Sequence, residues 1–330
     1  MSAAAGDRPR PDMVPRRRTV ATATAPAVRR VLIVGATGML GHALLRELAD
    51  APELEVHGVA RSLDGRERHY PAGLLRRITS GVDATRFDQV RTVIDGLRPD
   101  VVVNCVGVIK QRPDVQDAVP TVTLNALLPH LLADATARHG GRLIHVSTDC
   151  VFSGSRGGYV EHDLPDPPDL YGRSKLLGEV TTGSALTLRT SIVGHELTTR
   201  RSLVDWFLGQ SGQVRGYTRA VYSGVTTVEF ARLLRTVVLP RPDLTGLYHV
   251  AATPITKYDL LRLVAEVYGW QGDLVAENEF VCDRSMRADA LAEATGYRPP
   301  DWPDMIRTLY AARARWSGEP LPTRRQQIPA

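Results

Sequence analysis

Cysteine is scarce in this sequence, where Cys105, Cys150 and Cys282 are the three thiols among 330 residues. An odd number of widely separated cysteines excludes a disulfide framework and a cysteine-ligated metal site, so we expect no bound metal and a reducing, cytosolic setting. No apolar run approaches the roughly 20 residues needed to cross a bilayer, and no internal repeat is visible. A membrane partner is therefore not expected.

Most of the chain also lacks net charge, although the whole carries +5. Residues 1–30 contain seven arginines and two aspartates, which leaves 34 basic and 34 acidic residues in the other 300. This neutral body gives no reason to expect a nucleic-acid partner. Residues 1–30 and 319–330 lack helical or strand periodicity and are predicted to be disordered tails. Arg16–Arg18 resemble a twin-arginine export signal, but no apolar core follows them.

Glycine recurs with regular spacing near the start of the balanced region. The apolar run Val31–Val34 is followed by Gly35, Gly38 and Gly41, and a helical pattern of leucines begins at Leu40. In such a strand-turn-helix, glycines let backbone N–H groups and the positive end of the helix approach a pyrophosphate. The residues predicted to line this dinucleotide site are Gly35, Thr37, Gly38, Met39, Leu40 and Gly41. A tight turn without a ligand is the alternative.

Apolar strands and amphipathic helices alternate after this turn, which predicts an α/β fold with a doubly wound, parallel, Rossmann-type sheet. Ligands of such sheets lie at the carboxyl ends of the strands. The sequence places Asp83 at one of these ends, where we expect it to bond the adenine. Asn104, Cys105 and Val106 follow another strand and are expected beside the cofactor, with Asn125 near the start of the next helix.

No acidic residue stands where an NAD-specific site carries one, about 20 residues after the glycine turn. The second strand ends instead in Arg61 and Ser62. A guanidinium and a hydroxyl suit the 2′-phosphate of NADP(H), so NADPH is the predicted cofactor. NAD(H), with Arg61 solvated in its loop, is the alternative.

Tyr171 and Lys175 are four residues apart, so on a helix they would share one face. An ammonium beside the phenol favours the phenolate, and the pair therefore predicts a tyrosine acid whose pKa is lowered toward the working range. Such a pair occurs by chance in many helices. Ser147 and Thr148, however, end a predicted strand upstream and bring hydroxyls to the same edge of the sheet.

Together these motifs resemble the extended short-chain dehydrogenases/reductases that act on nucleotide sugars, and most of all the dTDP-4-dehydrorhamnose reductase group. The resemblance covers about residues 31–310 and rests on five segments: Gly35–Gly41, Asn104–Gly107, Ser147–Phe152, Tyr171–Lys175 and Leu188–Ser191. It implies a Rossmann-type cofactor domain followed by a smaller, mixed substrate domain.

The resemblance also implies roles for individual residues. Thr148 would bond the substrate oxygen, Tyr171 would be the acid, Lys175 would hold the nicotinamide ribose and tune Tyr171, and Asn125 would support the site. Further substrate contacts are implied for Asp149, Cys150, Arg219 and Arg284, the two arginines meeting the diphosphate. A solvated surface is the alternative for the basic and aromatic stretch around Arg219.

Two positions depart from the proteins that the sequence resembles. Dehydratases of the group carry Glu after the Thr-Asp pair, whereas this chain has Cys150, which disfavours dehydration. The rhamnose enzymes tend to have Tyr there and Trp after the Thr-Ser pair, whereas this chain has Cys150 and Ile192. The identity of the sugar, and its carriage on dTDP or UDP, are therefore left open.

The predicted function is NADPH-dependent reduction of the C4 ketone of a nucleotide-activated deoxysugar, in polysaccharide or glycosylated-metabolite biosynthesis. Two alternatives stay open: an epimerase that keeps NAD bound, and a non-catalytic, cofactor-binding regulatory subunit. We expect a cofactor domain at residues 31–194, with a returning segment at about 221–251, and a substrate domain at 195–220 and 252–318. A homodimer is compatible with the sequence, which does not decide the oligomeric state.

Overall fold

The structure, a computed structural model, describes residues 28–109 and 116–317. Most of both predicted tails lies outside these residues. The first strand begins at Arg29, however, two residues before the start at Val31 that the sequence predicts. The Arg29 N–H donates to the Glu53 carbonyl at 3.0 Å and the Arg30 N–H donates to the Asp100 carboxylate at 2.7 Å. These bonds extend the strand backwards.

Strands and helices alternate along the chain, as the sequence predicts. The strands are β1 (Arg29–Val34), β2 (Leu54–Ala60), β3 (Ile78–Ser80), β4 (Val101–Asn104), β5 (Arg142–Thr148), β6 (Leu186–Thr190), β7 (Ile192–Val193), β8 (Gln213–Tyr217), β9 (Ala220–Tyr222), β10 (Val225–Thr226), β11 (Gly246–His249), β12 (Ile255–Thr256), β13 (Asp273–Glu277) and β14 (Cys282–Asp283). The α-helices are α1 (Met39–Ala49), α2 (Ala72–Leu75), α3 (Phe87–Leu97), α4 (Ala118–Val122), α5 (Leu128–Ala137), α6 (Leu170–Leu177), α7 (Leu203–Leu208), α8 (Thr227–Leu233), α9 (Lys257–Tyr268), α10 (Asp289–Thr295) and α11 (Trp302–Ser317).

Seven parallel strands form the central sheet, in the order β11-β6-β5-β4-β1-β2-β3. The chain leaves β1 toward β2 and β3 and later resumes on the other side with β4, so the strand order reverses between β1 and β4. This switch point, at the carboxyl ends of the strands, is where α/β sheets bind ligands. The predicted α/β class with a doubly wound parallel sheet is confirmed.

Helices cover both faces of this sheet, which is why β1 and β4 contain continuous apolar runs. On one face α1 packs near α8 and α11, around the fully buried Leu44, Leu45 and Leu48. On the other face α3 and α5 enclose Ile94 and Leu132. Both apolar faces are thus covered, and the carboxyl edge of the sheet carries the polar residues.

The helical segment after β4 differs from its sequence pattern at one position. The spacing of leucines predicts that Leu127 and Leu128 both face inward, but Leu127 is 51% exposed. A π turn at Thr123–Leu127 adds one residue to the helical repeat and rotates the preceding part of the helix relative to α5. The same rotation brings Asn125 to a fully buried position.

The short strands of the C-terminal half form a smaller layer against the carboxyl edge of the sheet. Three of them pair in the order β12-β9-β14, and β8 pairs with β13. The Asp283 N–H in β14 donates to the Gly154 carbonyl at 2.7 Å, which joins this layer to the loop after β5. Within residues 28–109 and 116–317, the helices are too short or too polar to span a bilayer.

Candidate active site

Two of the three glycines after β1 are required by close packing, and the third borders open space. Gly35 has φ +94°, and a Cβ there would lie 2.9 Å from the Val106 side chain. A Cβ on Gly41 would lie 2.0 Å from the Gly35 carbonyl oxygen. A Cβ on Gly38 would meet a single neighbouring atom within 4 Å, the Gly35 oxygen at 3.4 Å. The turn is a cradle that a side chain at position 38 would fill, at the N-terminus of α1, and it fits a pyrophosphate.

Arg61 and Asp83 lie near each other at the ends of β2 and β3. Asp83 accepts hydrogen bonds from the Thr85 N–H at 2.9 Å and from the Thr85 hydroxyl at 2.8 Å. The Thr85 N–H and, more weakly, the Arg61 guanidinium hold the pKa of Asp83 below its ordinary value. Arg61 is exposed, and Ser62 accepts from the Asp64 N–H at 3.0 Å. A cation and a carboxylate therefore share the edge where the adenosine end of a dinucleotide is expected.

Thr148 and Tyr171, 23 residues apart, come together at the carboxyl end of β5. The Thr148 hydroxyl lies within hydrogen-bonding reach of the Tyr171 phenol and accepts from the Cys150 N–H at 3.1 Å. Helix α6 approaches this turn closely because Gly172 has no side chain: a Cβ there would lie 2.3 Å from the Cys150 carbonyl oxygen. Asp169 caps the helix by accepting from the Gly172 N–H at 2.9 Å. The hydroxyl pair is thus fixed by helix packing.

Lys175 and Tyr171 differ from what their spacing predicts. The Lys175 ammonium turns toward the sheet, donates to the Val146 carbonyl at 2.8 Å and lies 3.4 Å from His145 Nε2. Burial lowers the pKa of Lys175 to about 8. Burial, reinforced by Cys150, raises the pKa of Tyr171 above its ordinary value, whereas the spacing of Tyr171 and Lys175 predicts that the ammonium would lower it. The phenol is consequently protonated at neutral pH, which is the form that donates a proton.

Asn125 joins the loop after β4 to α6. Its amide oxygen accepts from the Val108 N–H at 2.8 Å, and its amide nitrogen donates to the Val108 carbonyl at 3.0 Å and to the Ser174 hydroxyl at 3.1 Å. A Cβ at Gly107 would lie 3.0 Å from the amide oxygen, and a Cβ at Gly178 would lie 2.0 Å from the backbone carbonyl oxygen of Asn125. Asn125 therefore fixes the loop after β4 relative to α6, the helix that carries Tyr171 and Lys175.

A buried ion pair under the site was missed by sequence reasoning. Glu179 receives two parallel hydrogen bonds from the Arg189 guanidinium, both at 2.8 Å, and a third from the Ser147 hydroxyl at 2.7 Å. The guanidinium lies over the Phe152 ring, 5.3 Å from its centre. Glu179 follows Lys175 by four residues, just as Lys175 follows Tyr171. This spacing is the sequence feature that could have indicated a role for Glu179.

Arg284 lies beside the turn after β5, and the side chain of Arg219 is exposed just before β9. Arg284 donates to the Phe152 carbonyl at 2.9 Å, and its charge opposes the effect of burial, which raises the pKa of Asp149. The Arg219 carbonyl accepts from the Cys282 N–H at 3.0 Å, which places its backbone beside the strand that leads to Arg284. The structure therefore brings Arg284 to the acidic turn after β5.

Lys257 and Tyr222 also act electrostatically on or with Asp149. Lys257, the first residue of α9, lies within electrostatic reach of the Asp149 carboxyl. Tyr222 in β9 is 6% exposed, and its hydroxyl has no hydrogen-bond partner among the residues that the structure describes. A buried hydroxyl without a partner is costly, so Tyr222 is available to a polar ligand group.

Comparisons with known proteins agree with this geometry. The family model described as RmlD substrate binding domain matches residues 29–289. The dTDP-4-dehydrorhamnose reductase of Aggregatibacter actinomycetemcomitans is 25% identical over 309 residues, which span 86% of this chain and 98% of that protein. The methionine adenosyltransferase 2 subunit beta of Danio rerio is 30% identical over 254 residues, which span 73% of this chain and 74% of that protein.

Solved structures share the fold. The dTDP-4-dehydrorhamnose reductase of Bacillus anthracis in complex with NADP aligns with a TM-score of 0.71 at 21% identity, covering 86% of this chain and 99% of that one. The Bordetella bronchiseptica enzyme WbmG in complex with NAD and UDP aligns with a TM-score of 0.68 at 19% identity, covering 88% and 96%. The chain therefore belongs to the RmlD family of NAD(P)-dependent oxidoreductases, within the extended short-chain dehydrogenases/reductases.

Proposed function

We propose that this protein uses NADPH to reduce the C4 ketone of a nucleotide-activated deoxysugar. The observation that carries the proposal is the contact between Thr148 and Tyr171 at the carboxyl end of β5, on the same sheet edge as the glycine turn after β1. A hydroxyl and a protonated phenol side by side suit a developing oxyanion. The full-length match to a dTDP-4-dehydrorhamnose reductase supports the same substrate class.

The chain offers a site for each part of the cofactor. Gly35, Gly38 and Gly41 would hold the pyrophosphate at the start of α1, and Arg61 would meet the 2′-phosphate that distinguishes NADP from NAD. When bound, the nicotinamide supplies the hydride. Solved structures of the fold contain NADP in one case and NAD in another, in agreement with a nicotinamide dinucleotide at this edge.

The remaining chemistry belongs to this chain's side chains. Thr148 would bond the carbonyl oxygen and orient the ketone, and Tyr171 would give its proton to that oxygen as negative charge develops. Asn125 would keep α6 in place through Ser174, while Arg284 would meet the diphosphate of the substrate. Cys150 follows Asp149 in the turn after β5 and acts electrostatically on Tyr171, so its small side chain would lie close to the reacting oxygen.

The test is replacement of Tyr171 by Phe. We expect the substitution to lower kcat by about 100- to 10,000-fold, the usual contribution of a general acid, while the Kd for NADPH stays within about twofold. Activity is followed as NADPH and NADH consumption with a panel of UDP- and dTDP-4-keto sugars, and the products are identified by NMR. Tyr248→Phe, on the edge strand β11, is the matched control and should leave turnover unchanged. Unchanged turnover in Tyr171→Phe would remove the proposed acid.

A second candidate function is favoured by one observation, the 30% identity to a methionine adenosyltransferase 2 subunit beta. In that case the chain would act as a partner of another enzyme. A stable complex with a methionine adenosyltransferase in sedimentation velocity, together with no turnover of any 4-keto sugar, would favour it.

Isomerisation of a nucleotide sugar without added NADPH would instead indicate an epimerase. A cytosolic location, which the scarcity of cysteine in the sequence favours, is part of the proposal.

A further inference from the structure

Two buried polar residues connect β4, the strand beside β1, with Lys175. The proposed reaction assigns them no role. Asn104 and His145 stand side by side in register on β4 and β5, and each is 1% exposed. Asn104 Nδ2 lies 3.2 Å from His145 Nδ1, and His145 Nε2 lies 3.4 Å from Lys175 Nζ. The three side chains form a continuous polar chain inside the sheet edge.

The orientation of the Asn104 amide selects the tautomer of His145. The Val106 N–H donates to Asn104 Oδ1 at 3.1 Å, so the amide presents its NH₂ group to the imidazole. An NH₂ group only donates, which means that His145 Nδ1 must accept and that the neutral ring carries its proton on Nε2. Burial, with Lys175 as the next cause, lowers the pKa of His145 well below its ordinary value. The ring is therefore neutral, with its N–H directed at Lys175.

The N–H group of His145 directed at Lys175 Nζ interacts differently with the ammonium and with the neutral amine. The ammonium has three N–H donors and no lone pair, whereas the neutral amine has a lone pair that accepts. Lys175 already donates to the Val146 carbonyl at 2.8 Å, and either form of the amine can make that bond. The His145 contact consequently stabilises the neutral amine relative to the ammonium.

The other titratable groups around Lys175 act differently. Glu179, two residues beyond α6, and the Cys105 thiol, after β4, both favour the ammonium. Tyr171, one turn earlier on α6, is protonated because its pKa is raised. His130 on α5 acts electrostatically on His145. Glu179 also forms an ion pair with Arg189, which weakens its stabilisation of the Lys175 ammonium. The hydrogen bond from His145 acts in the opposite direction, because it favours the neutral amine.

We propose that Asn104 and His145 are positioning residues that hold Lys175 ready to release a proton during the reaction. The inference rests on the proposed function, in which Tyr171 gives its proton to the substrate oxygen and becomes a phenolate. The Lys175 ammonium supplies the proton that restores the phenol, and the neutral amine left behind accepts the His145 Nε2–H bond. A proton from solvent water restores the ammonium before the next turnover.

The scarcity of lysine makes the test direct, because Lys110, Lys175 and Lys257 are the three lysines of the full chain. The full-length protein labelled with ¹³C at lysine Cε gives three signals, which Lys175→Arg and Lys257→Arg assign. We expect the Lys175 signal to titrate below the ordinary value of a lysine side chain. In His145→Gln the amide oxygen can accept from the ammonium, so the pKa of Lys175 should rise by about one unit, the effect of one hydrogen bond to a charged group.

His42→Gln is the matched control, since it makes the same change at a buried histidine on α1, and it should leave the Lys175 titration unchanged. Labelling histidine with ¹⁵N tests the tautomer in the unmodified protein, where we expect protonated Nε2 at His145. Asn104→Asp should reverse this tautomer, because a carboxylate accepts from Nδ1–H. An Nδ1–H tautomer in the unmodified protein, or an unshifted Lys175 titration in His145→Gln, would overturn the inference.

Both NMR measurements require neither substrate nor cofactor, so they separate the inference from the proposed function. If the titration shifts as expected but no 4-keto sugar is reduced by the unmodified protein, the proposed reaction fails while the control of Lys175 by His145 stands. If the sugar is reduced, the pH profile of kcat in His145→Gln should move in the same direction as the Lys175 titration. A kcat profile identical to that of the unmodified protein would contradict the proposed role in turnover.

Discussion

The amide nitrogen of Asn125 donates to the hydroxyl of Ser174 at 3.1 Å and so joins the π turn before α5 to the helix that carries Tyr171 and Lys175. The same side chain makes two hydrogen bonds to the backbone of Val108. One fully buried residue thus holds both the loop after β4 and the helix of the proposed acid. We therefore expect the position of Tyr171 to depend on this contact.

Replacement of Asn125 by Ala tests that dependence. The substitution leaves the Val108 N–H and carbonyl buried without their partners, and we expect the free energy of unfolding to fall by about 2–3 kcal/mol. Because α6 loses its anchor, kcat should fall by at least about tenfold while the affinity for NADPH changes less. Urea denaturation and steady-state kinetics measure the two effects. Ser174→Ala removes one of the three bonds and should give a smaller loss of both; a larger loss would contradict the assignment.

Arg61 should decide the choice between the two nicotinamide cofactors. Removing its guanidinium in Arg61→Ala is expected to weaken NADPH binding by about 10- to 100-fold, the range for a lost hydrogen bond to a charged group, and to leave NADH binding nearly unchanged. Isothermal titration calorimetry with both cofactors measures this. Arg68→Ala, at an exposed position of the same loop, is the control. Equal losses for NADPH and NADH would place Arg61 away from the 2′-phosphate.

Two glycine-to-alanine substitutions in helices should have opposite effects on stability. In Gly41→Ala the new Cβ would lie 2.0 Å from the Gly35 carbonyl oxygen, so the glycine turn must shift, at a cost of about 1–3 kcal/mol and with weaker NADPH binding. In Gly96→Ala, on α3, the new Cβ meets nothing within 4 Å, and the helix should gain about 0.5–1 kcal/mol. Thermal and urea denaturation test both. A stabilised Gly41→Ala would show that the close approach is not required.

Loss of the buried ion pair should be far more damaging than loss of a surface pair. Glu179 and Arg189 are 6% and 4% exposed, so Glu179→Ala strands a buried guanidinium, and we expect a loss of about 3–5 kcal/mol in the free energy of unfolding. Asp134 and Arg138 form an exposed pair four residues apart on α5 and its end, and Asp134→Ala should cost at most about 1 kcal/mol. Urea denaturation at neutral pH compares the two. Similar losses would refute the structural role of Glu179.

Lys175 should make stability depend on pH in the alkaline range. Its pKa is lowered from 10.5 to about 8 in the folded protein, so the unfolded chain binds this proton more tightly. The resulting penalty is fully present below about pH 8 and disappears as the pH rises through the unfolded value. Lys175→Met removes this penalty. The difference in the free energy of unfolding between Lys175→Met and the unmodified protein should therefore favour the variant more at about pH 7 than at about pH 10, by up to about 3 kcal/mol. A difference independent of pH would show that the buried amine is not perturbed.

Much of the architecture could be predicted from local pattern. The alternation of apolar strands with amphipathic helices indicated a parallel sheet, and the strand Gly246–His249 pairs with β6 in the main sheet as expected. The start of β1 was misplaced by two residues because backbone pairing with Glu53, and not the polarity of two arginines, decides where the strand begins. The inward face assigned to Leu127 was wrong because a π turn has no simple signature in residue type.

The sequence by itself determined which chemical groups are present and at which strand ends they fall: the glycine turn, the Thr148 hydroxyl, and the Tyr171 and Lys175 pair. Only the tertiary structure decided what those groups face. The Lys175 ammonium donates to the Val146 carbonyl and lies 3.4 Å from His145, and burial raises the pKa of Tyr171 while it lowers that of Lys175. Spacing along a helix specifies a shared face, but protonation depends on solvent exclusion and on partners from distant strands, which exist only after the sheet has formed.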